Sequence, residues 1–190
     1  FNLLIASYIF YSAWNPVFVI LLWISTIVDW FAAKKIFTTD RKVIKRSFLC
    51  LSLLTNLGLL SFFKYSEFLL DNFINLLSVF GIQFHPAMPD IVLPVGISFY
   101  TFQTLSYTID IYKNKAKPDN SFLDFALYVT FFPQLVAGPI VRATTFLPQC
   151  KWPKKPDYEM IGWGGSLFLL GLFQKIVVAD GILAPVADKV

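Results

Sequence analysis

Apolar residues fall along this chain in long blocks separated by short polar clusters, not on alternate positions. That pattern predicts helices buried on most of their surface rather than half-buried strands. The block at 3–14 is about half the roughly 20 residues needed to span a bilayer. Asn15-Pro16 then opens a new helix, because proline suits the first helical turn. Residues 17–33 form a full span, with Trp14, Trp23 and Trp30 available for interfacial belts. A second span is expected over 48–63. Residues 66–80, flanked by Lys64, Glu67 and Asp71, form either an interfacial helix or its continuation. Residues 81–93, with His85, Pro86 and Pro89, read as a loop. Further spans follow over 95–112 and 160–179.

The block at 122–141 is different. It is apolar but carries Pro133, Gly138 and Pro139, which break a helical hydrogen-bond ladder. Broken backbone persists at membrane depth only where protein or a watery cavity shelters it. The expectation is therefore a re-entrant or kinked element. The fold class is all-α and polytopic transmembrane, with residues 1–190 as a single membrane-embedded domain.

Composition strengthens this picture. The chain of 190 residues is 56% hydrophobic and only 15% charged, against about 25% charged for a typical soluble domain. Its mean hydropathy is +0.63. The net charge of +4 lies in loops: Lys34, Lys35, Arg41, Lys42, Lys45 and Arg46 face the single acid Asp40, and Lys113, Lys115 and Lys117 follow the next-but-one span. These clusters are topology signals that place the loops, and the polar stretch 142–157, on the cytoplasmic side of the membrane. No nucleic-acid motif is present, and lipid is the expected partner. Cys50 and Cys150 match no metal or disulfide spacing, and Cys50 reads as a small core residue. The chain begins without Met, and both ends read as cut.

Polar residues inside spans point to chemistry or to contacts between helices. Tyr100, Gln103, Tyr107 and Asp110 follow steps of three, four and three, so they share one helical face. They either line a substrate cavity or join helices by hydrogen bonds. Phe99, Phe102, Ile109 and Tyr112 fall on another side. In the broken block, Pro133, Gln134, Gly138 and Pro139 would form a narrow channel wall. Arg142 would meet an anion such as a phosphate; a kink plus a topology arginine is the alternative. Asp29 reads as an interface residue, and Lys175 and Asp180 as a pair or as snorkelling groups. His85, the only histidine, has no acid or nucleophile pattern beside it and reads as a loop residue. No metal-ligand cluster or phosphate loop is present.

The run Leu93-Pro94-Val95-Gly96-Ile97-Ser98-Phe99-Tyr100-Thr101-Phe102-Gln103, continuing to Tyr112, resembles a signature of the membrane-bound O-acyltransferase family. So does Phe131-Phe132-Pro133-Gln134-Leu135-Val136-Ala137-Gly138-Pro139-Ile140-Val141-Arg142, whose Pro-Gln resembles the alginate O-acetylation subgroup more than the D-alanyl transfer subgroup. Shorter matches lie at 7–16, 56–65 and 171–180. The resemblance implies part of a helical ring around a channel, and acetyl transfer from cytoplasmic acetyl-CoA, with no resident cofactor. The acceptor would be an exported polysaccharide hydroxyl, reached through an extracytoplasmic acetyltransferase partner. D-alanyl or other acyl transfer to a cell-wall polymer is the nearest alternative, and a flippase for a lipid-linked sugar is another. The family's catalytic histidine lies downstream of the Gly-Pro motif, and residues 143–190 hold none. It is therefore expected beyond Val190, and purified residues 1–190 should be inactive; measurable acetyl transfer by that polypeptide would refute this.

Overall fold

The computed structural model describes residues 1–84, 86, 91–151, 155 and 157–187, leaving aside the side chains of 136 and 137. The readings of His85 and Pro89 lie outside these residues. All regular structure among the described residues is helical. The chain divides into two compact units, Phe1–Lys151 and Trp152–Val190.

In the first unit, α1 covers Asn2–Trp14. The Asn15 side chain then accepts the Val17 N–H and caps a short 3-10 turn, Pro16–Phe18. The chain continues as α2, Val19–Thr38. α3 runs unbroken over Lys42–Val79, so residues 66–80 continue the preceding helix. At 1.5 Å per residue α3 is about 57 Å long, well beyond a hydrocarbon core of about 30 Å. α4 covers Ile97–Tyr112. Pro16–Thr38 and Lys42–Val79 are both long and apolar enough to cross a membrane, with mean hydropathies of 1.9 and 1.5. α4 is shorter, about 24 Å, and is sheltered by α2 and α3, against which its inner face packs.

The two basic loops meet at one end of this unit. A cavity there is lined by Asp40, Lys42, Lys45 and Arg46 from the α2–α3 turn, and by Tyr112 and Asn114 from the end of α4. α2 and α4 thus run toward that basic end, and α3 runs away from it. One orientation of the protein then satisfies both charge clusters.

The broken block enters and leaves at this same end. α5, Phe122–Thr130, starts there under a Ser121 cap that accepts the Asp124 N–H. The helix stops at Phe131, and a separate turn, α6, covers Phe132–Ala137 with Pro133 near its start. Extended backbone from Gly138 follows, and Arg142 comes back to within 3.7 Å of Asp110 near the end of α4. The stretch after Arg142, read as a polar connection, forms a further helix, α7, over Ala143–Lys151. The Arg142 carbonyl accepts the Thr145 and Phe146 N–H groups. Ala143 and Leu147 are buried in the core, and that apolar side drives the helix.

The second unit contains α8, Tyr158–Phe173, a π-helical stretch Gln174–Leu183, and α9, Ala184–Ala187. Together they make a continuous 30-residue apolar helix of mean hydropathy 1.9, longer than the span expected over 160–179. The protein is an integral membrane protein by these helices.

Gly96 shows how tightly the two long motifs pack. Its φ is +73°, and a Cβ there would lie 2.7 Å from the Leu135 carbonyl oxygen of α6. Left-handed backbone costs a non-glycine residue about 1–2 kcal/mol, and the contact adds to that. Gly58, in mid-α3, has no such neighbour. In the full-length protein, Gly96→Ala should lower the thermal midpoint in detergent by more than about 5 °C, while Gly58→Ala should hold or raise it. Equal midpoints would contradict the close approach.

Candidate functional site

Breaking a helix at membrane depth frees backbone groups that must find partners in protein. In an unbroken helix the Tyr128 carbonyl would accept the Phe132 N–H. Here the helix stops between them. The Gln103 amide, from α4, donates to the Tyr128 carbonyl at 2.5 Å. The Phe132 N–H donates to Ser7 Oγ, from α1, at 3.4 Å. These two freed groups are taken by side chains from two different helices.

Gln103 also ties the two motifs together, since the Gln134 amide donates to its Oε1 at 3.3 Å. Gln103 and Gln134 are both buried. Gly138 lies folded back on Gln134, so that a Cβ would fall 2.6 Å from the Gln134 Cα. Pro133 and Pro139 are exposed, one in the first turn of α6 and one just after Gly138. The Tyr128 hydroxyl donates to the Val141 carbonyl at 3.0 Å and anchors the returning strand of backbone. Tyr107 is buried, and its hydroxyl accepts the Asp119 N–H at 2.9 Å. Tyr100 is fully buried, with no hydroxyl partner among the described residues. Phe99 and Phe102, on the other side, are exposed.

Arg142 and Asp110 close this assembly at the basic end. The Arg142 side chain remains about two-thirds exposed, so most of its donors stay open to another anion. Lys151 of α7 binds Asp119 at 2.5 Å and lies 3.9 Å from Asp124. The Asp119 carboxylate, accepting that hydrogen bond, holds the Lys151 ammonium above the usual lysine range. α7 is thereby pinned to the start of the re-entrant block.

A second cluster was missed in the sequence. Asp29, read as an interface residue, is fully buried between α2, α3 and α4. Its carboxylate accepts the Ser52 hydroxyl, the Asn56 amide at 2.7 Å and the Thr108 hydroxyl at 3.4 Å. Asn56 Oδ1 in turn accepts Ser25 at 2.5 Å and Thr104 at 3.2 Å. The signal was present: each helix carries a polar pair four residues apart, Ser25/Asp29, Ser52/Asn56 and Thr104/Thr108, and such pairs share a face. In the second unit, Lys175 and Asp180 are hydrogen-bonded. Their five-residue spacing brings them above one another only because that stretch is π-helical. Cys50, expected in a core, is exposed, since it lies on the outer side of α3. Among the described residues no group of acidic, histidine or cysteine side chains could hold a metal.

A buried polar seam, a sheltered break and a basic end define this class of protein as a polytopic helical membrane protein with a re-entrant element. Comparison with known proteins finds relatives over nearly the whole chain. The chain is 38% identical over 204 aligned residues to a protein named peptidoglycan O-acetyltransferase from Helicobacter pylori, covering 94% of this chain and 38% of that protein. It is 34% identical to a protein of Pseudomonas aeruginosa and 33% identical to one of Azotobacter vinelandii, each named probable alginate O-acetylase AlgI. Both alignments cover 98% of this chain, and 35% and 37% of those proteins. The chain thus spans a little over a third of the length of these relatives. Its similarity to them over nearly its whole length agrees with the resemblance to the membrane-bound O-acyltransferase family. No family model matches it, and no solved structure does.

Asp29→Leu should destabilise the full-length protein by about 2–4 kcal/mol, because it strands the Ser52, Asn56 and Thr108 donors. Asp29→Asn, which keeps an acceptor oxygen, should cost less. Thermal midpoints in detergent check the order; equal losses would deny the carboxylate its acceptor role.

Proposed function

We propose that the full protein is an O-acetyltransferase that moves acetyl groups from a cytoplasmic donor, acetyl-CoA, toward hydroxyls of an exported polysaccharide. The observation that supports this is the 33–38% identity, over nearly the whole chain, to relatives named for O-acetylation of alginate or peptidoglycan. Those names disfavour D-alanyl transfer and sugar flipping. Both acceptors in the names are polysaccharides, so the acceptor class is a glycan hydroxyl, reached through an extracytoplasmic partner at the cell's inner membrane.

In this reading the basic end faces the cytoplasm and receives the donor. Arg142 is the residue best placed to meet a donor phosphate, because Asp110 orients its guanidinium while leaving most of it exposed. Gln134 and Gly138 shape the wall behind it. Gln103 and Tyr107 act by positioning: Gln103 holds the break, and Tyr107 holds the start of the re-entrant block. The general base is a histidine outside residues 1–190, acting on the acceptor hydroxyl within hydrogen-bond reach.

The test is acetyl transfer from labelled acetyl-CoA in membranes carrying the full-length protein and its partner, scored on extracellular polymer. Arg142→Ala should lower kcat/KM at least about tenfold, equivalent to about 1.4 kcal/mol, mainly through KM for the donor. Gln134→Ala should lower it less. Unchanged kinetics for Arg142→Ala at normal protein levels would return both residues to a purely structural role.

A further inference from the structure

The cavity between the α2–α3 turn and the end of α4 is lined by none of the residues given a role in acetyl transfer above. It has a volume of about 370 Å³ and is lined by Asp40, Lys42, Lys45, Arg46, Tyr112 and Asn114. Three cations face one carboxylate, so the cavity holds two net positive charges. Among the described residues Lys42, Lys45 and Arg46 form no ion pair. Like charges gathered around a recess repel one another unless an anion enters. The neutral lining groups also donate: Tyr112 offers a hydroxyl, and Asn114 an amide. Asn114 is held at φ 57°, in the left-handed region. That conformation places it between this cavity and a neighbouring one lined by Phe37, Lys115 and Lys117.

We infer that this basic recess binds the phosphate headgroup of an anionic membrane lipid. Its charge suits a phosphate, and its surroundings favour a lipid over a free ion. Phe37, which lines the neighbouring cavity, and Val43, next to Lys42 in the first turn of α3, are 48% and 75% exposed. Apolar side chains there would lie against the acyl chains of a lipid whose headgroup is seated among the cations. Polybasic groups next to a membrane helix attract anionic lipid in this way. A seated headgroup would also bridge the α2–α3 turn and the end of α4, which share this cavity wall.

The test uses the purified full-length protein in detergent, stripped of lipid and titrated with phosphatidylglycerol, phosphatidylcholine or inorganic phosphate. Native mass spectrometry counts bound lipid. Phosphatidylglycerol should bind saturably and phosphatidylcholine at least about tenfold more weakly. Lys45→Gln with Arg46→Gln should erase most of that preference, while Lys155→Gln should keep it. Lys34, Lys35, Arg41 and Lys42 remain in the double variant to preserve orientation. Inorganic phosphate at about 10 mM should leave bound phosphatidylglycerol in place, since it lacks acyl chains. Displacement would overturn the lipid assignment in favour of a free anion. As a check that needs no variant, about 0.5 M salt should weaken phosphatidylglycerol binding to the native protein. Equal binding of both lipids, an unaltered preference in the double variant, or salt-independent binding would each overturn the inference.

Discussion

The structure turns on one requirement: a peptide group that leaves a helix inside a bilayer must be satisfied by protein. An unpaired buried amide or carbonyl costs about 1–3 kcal/mol, so a break is stable only where partners are built in. At Phe131 the Tyr128 carbonyl is taken by Gln103 and the Phe132 N–H by Ser7. Without those two side chains the chain at this depth would be driven toward a continuous helix, which Pro133 forbids. The two long sequence motifs are in this sense one device. One supplies the break and the other supplies the group that makes it tolerable.

Around this device the rest of the first unit acts as a frame. Asp29 fastens α2 to α3 through Ser52 and Asn56 and reaches α4 through Thr108. Gly96 lets α4 start directly against Leu135. Tyr107, Asp119 and Lys151 tie the entrance of the re-entrant block to α7. With α2, α3 and α4 locked, Gln103 is held at the height where the break occurs. Arg142, after the return, is carried back to the basic end with its guanidinium still open.

Much of this was legible in the sequence, because bilayer thickness and proline chemistry act locally. The long spans, the kinked block and the shared sidedness of the basic loops follow from spacing alone. What was not legible depends on which faces meet. Asp29 looked like an interface group because it stands beside Trp30; only the approach of Asn56 and Thr108 from other helices makes it a buried centre. The stripe from Tyr100 to Asp110 was visible on α4, but the neighbouring Thr101, Thr104 and Thr108 face was not weighed, although it turns toward α2 and α3. The helix after Arg142 was obscured by its lysine and glutamine, which hide a short apolar side at Ala143 and Leu147.

Hydrogen–deuterium exchange of the full-length protein in lipid nanodiscs tests the sheltered break most directly. Peptides spanning residues 126–135 should exchange slowly in the native protein and much faster in Gln103→Leu and Ser7→Ala, where one freed backbone group loses its partner. Exchange of that segment within seconds in the native protein, at the rate of an open loop, would contradict the account.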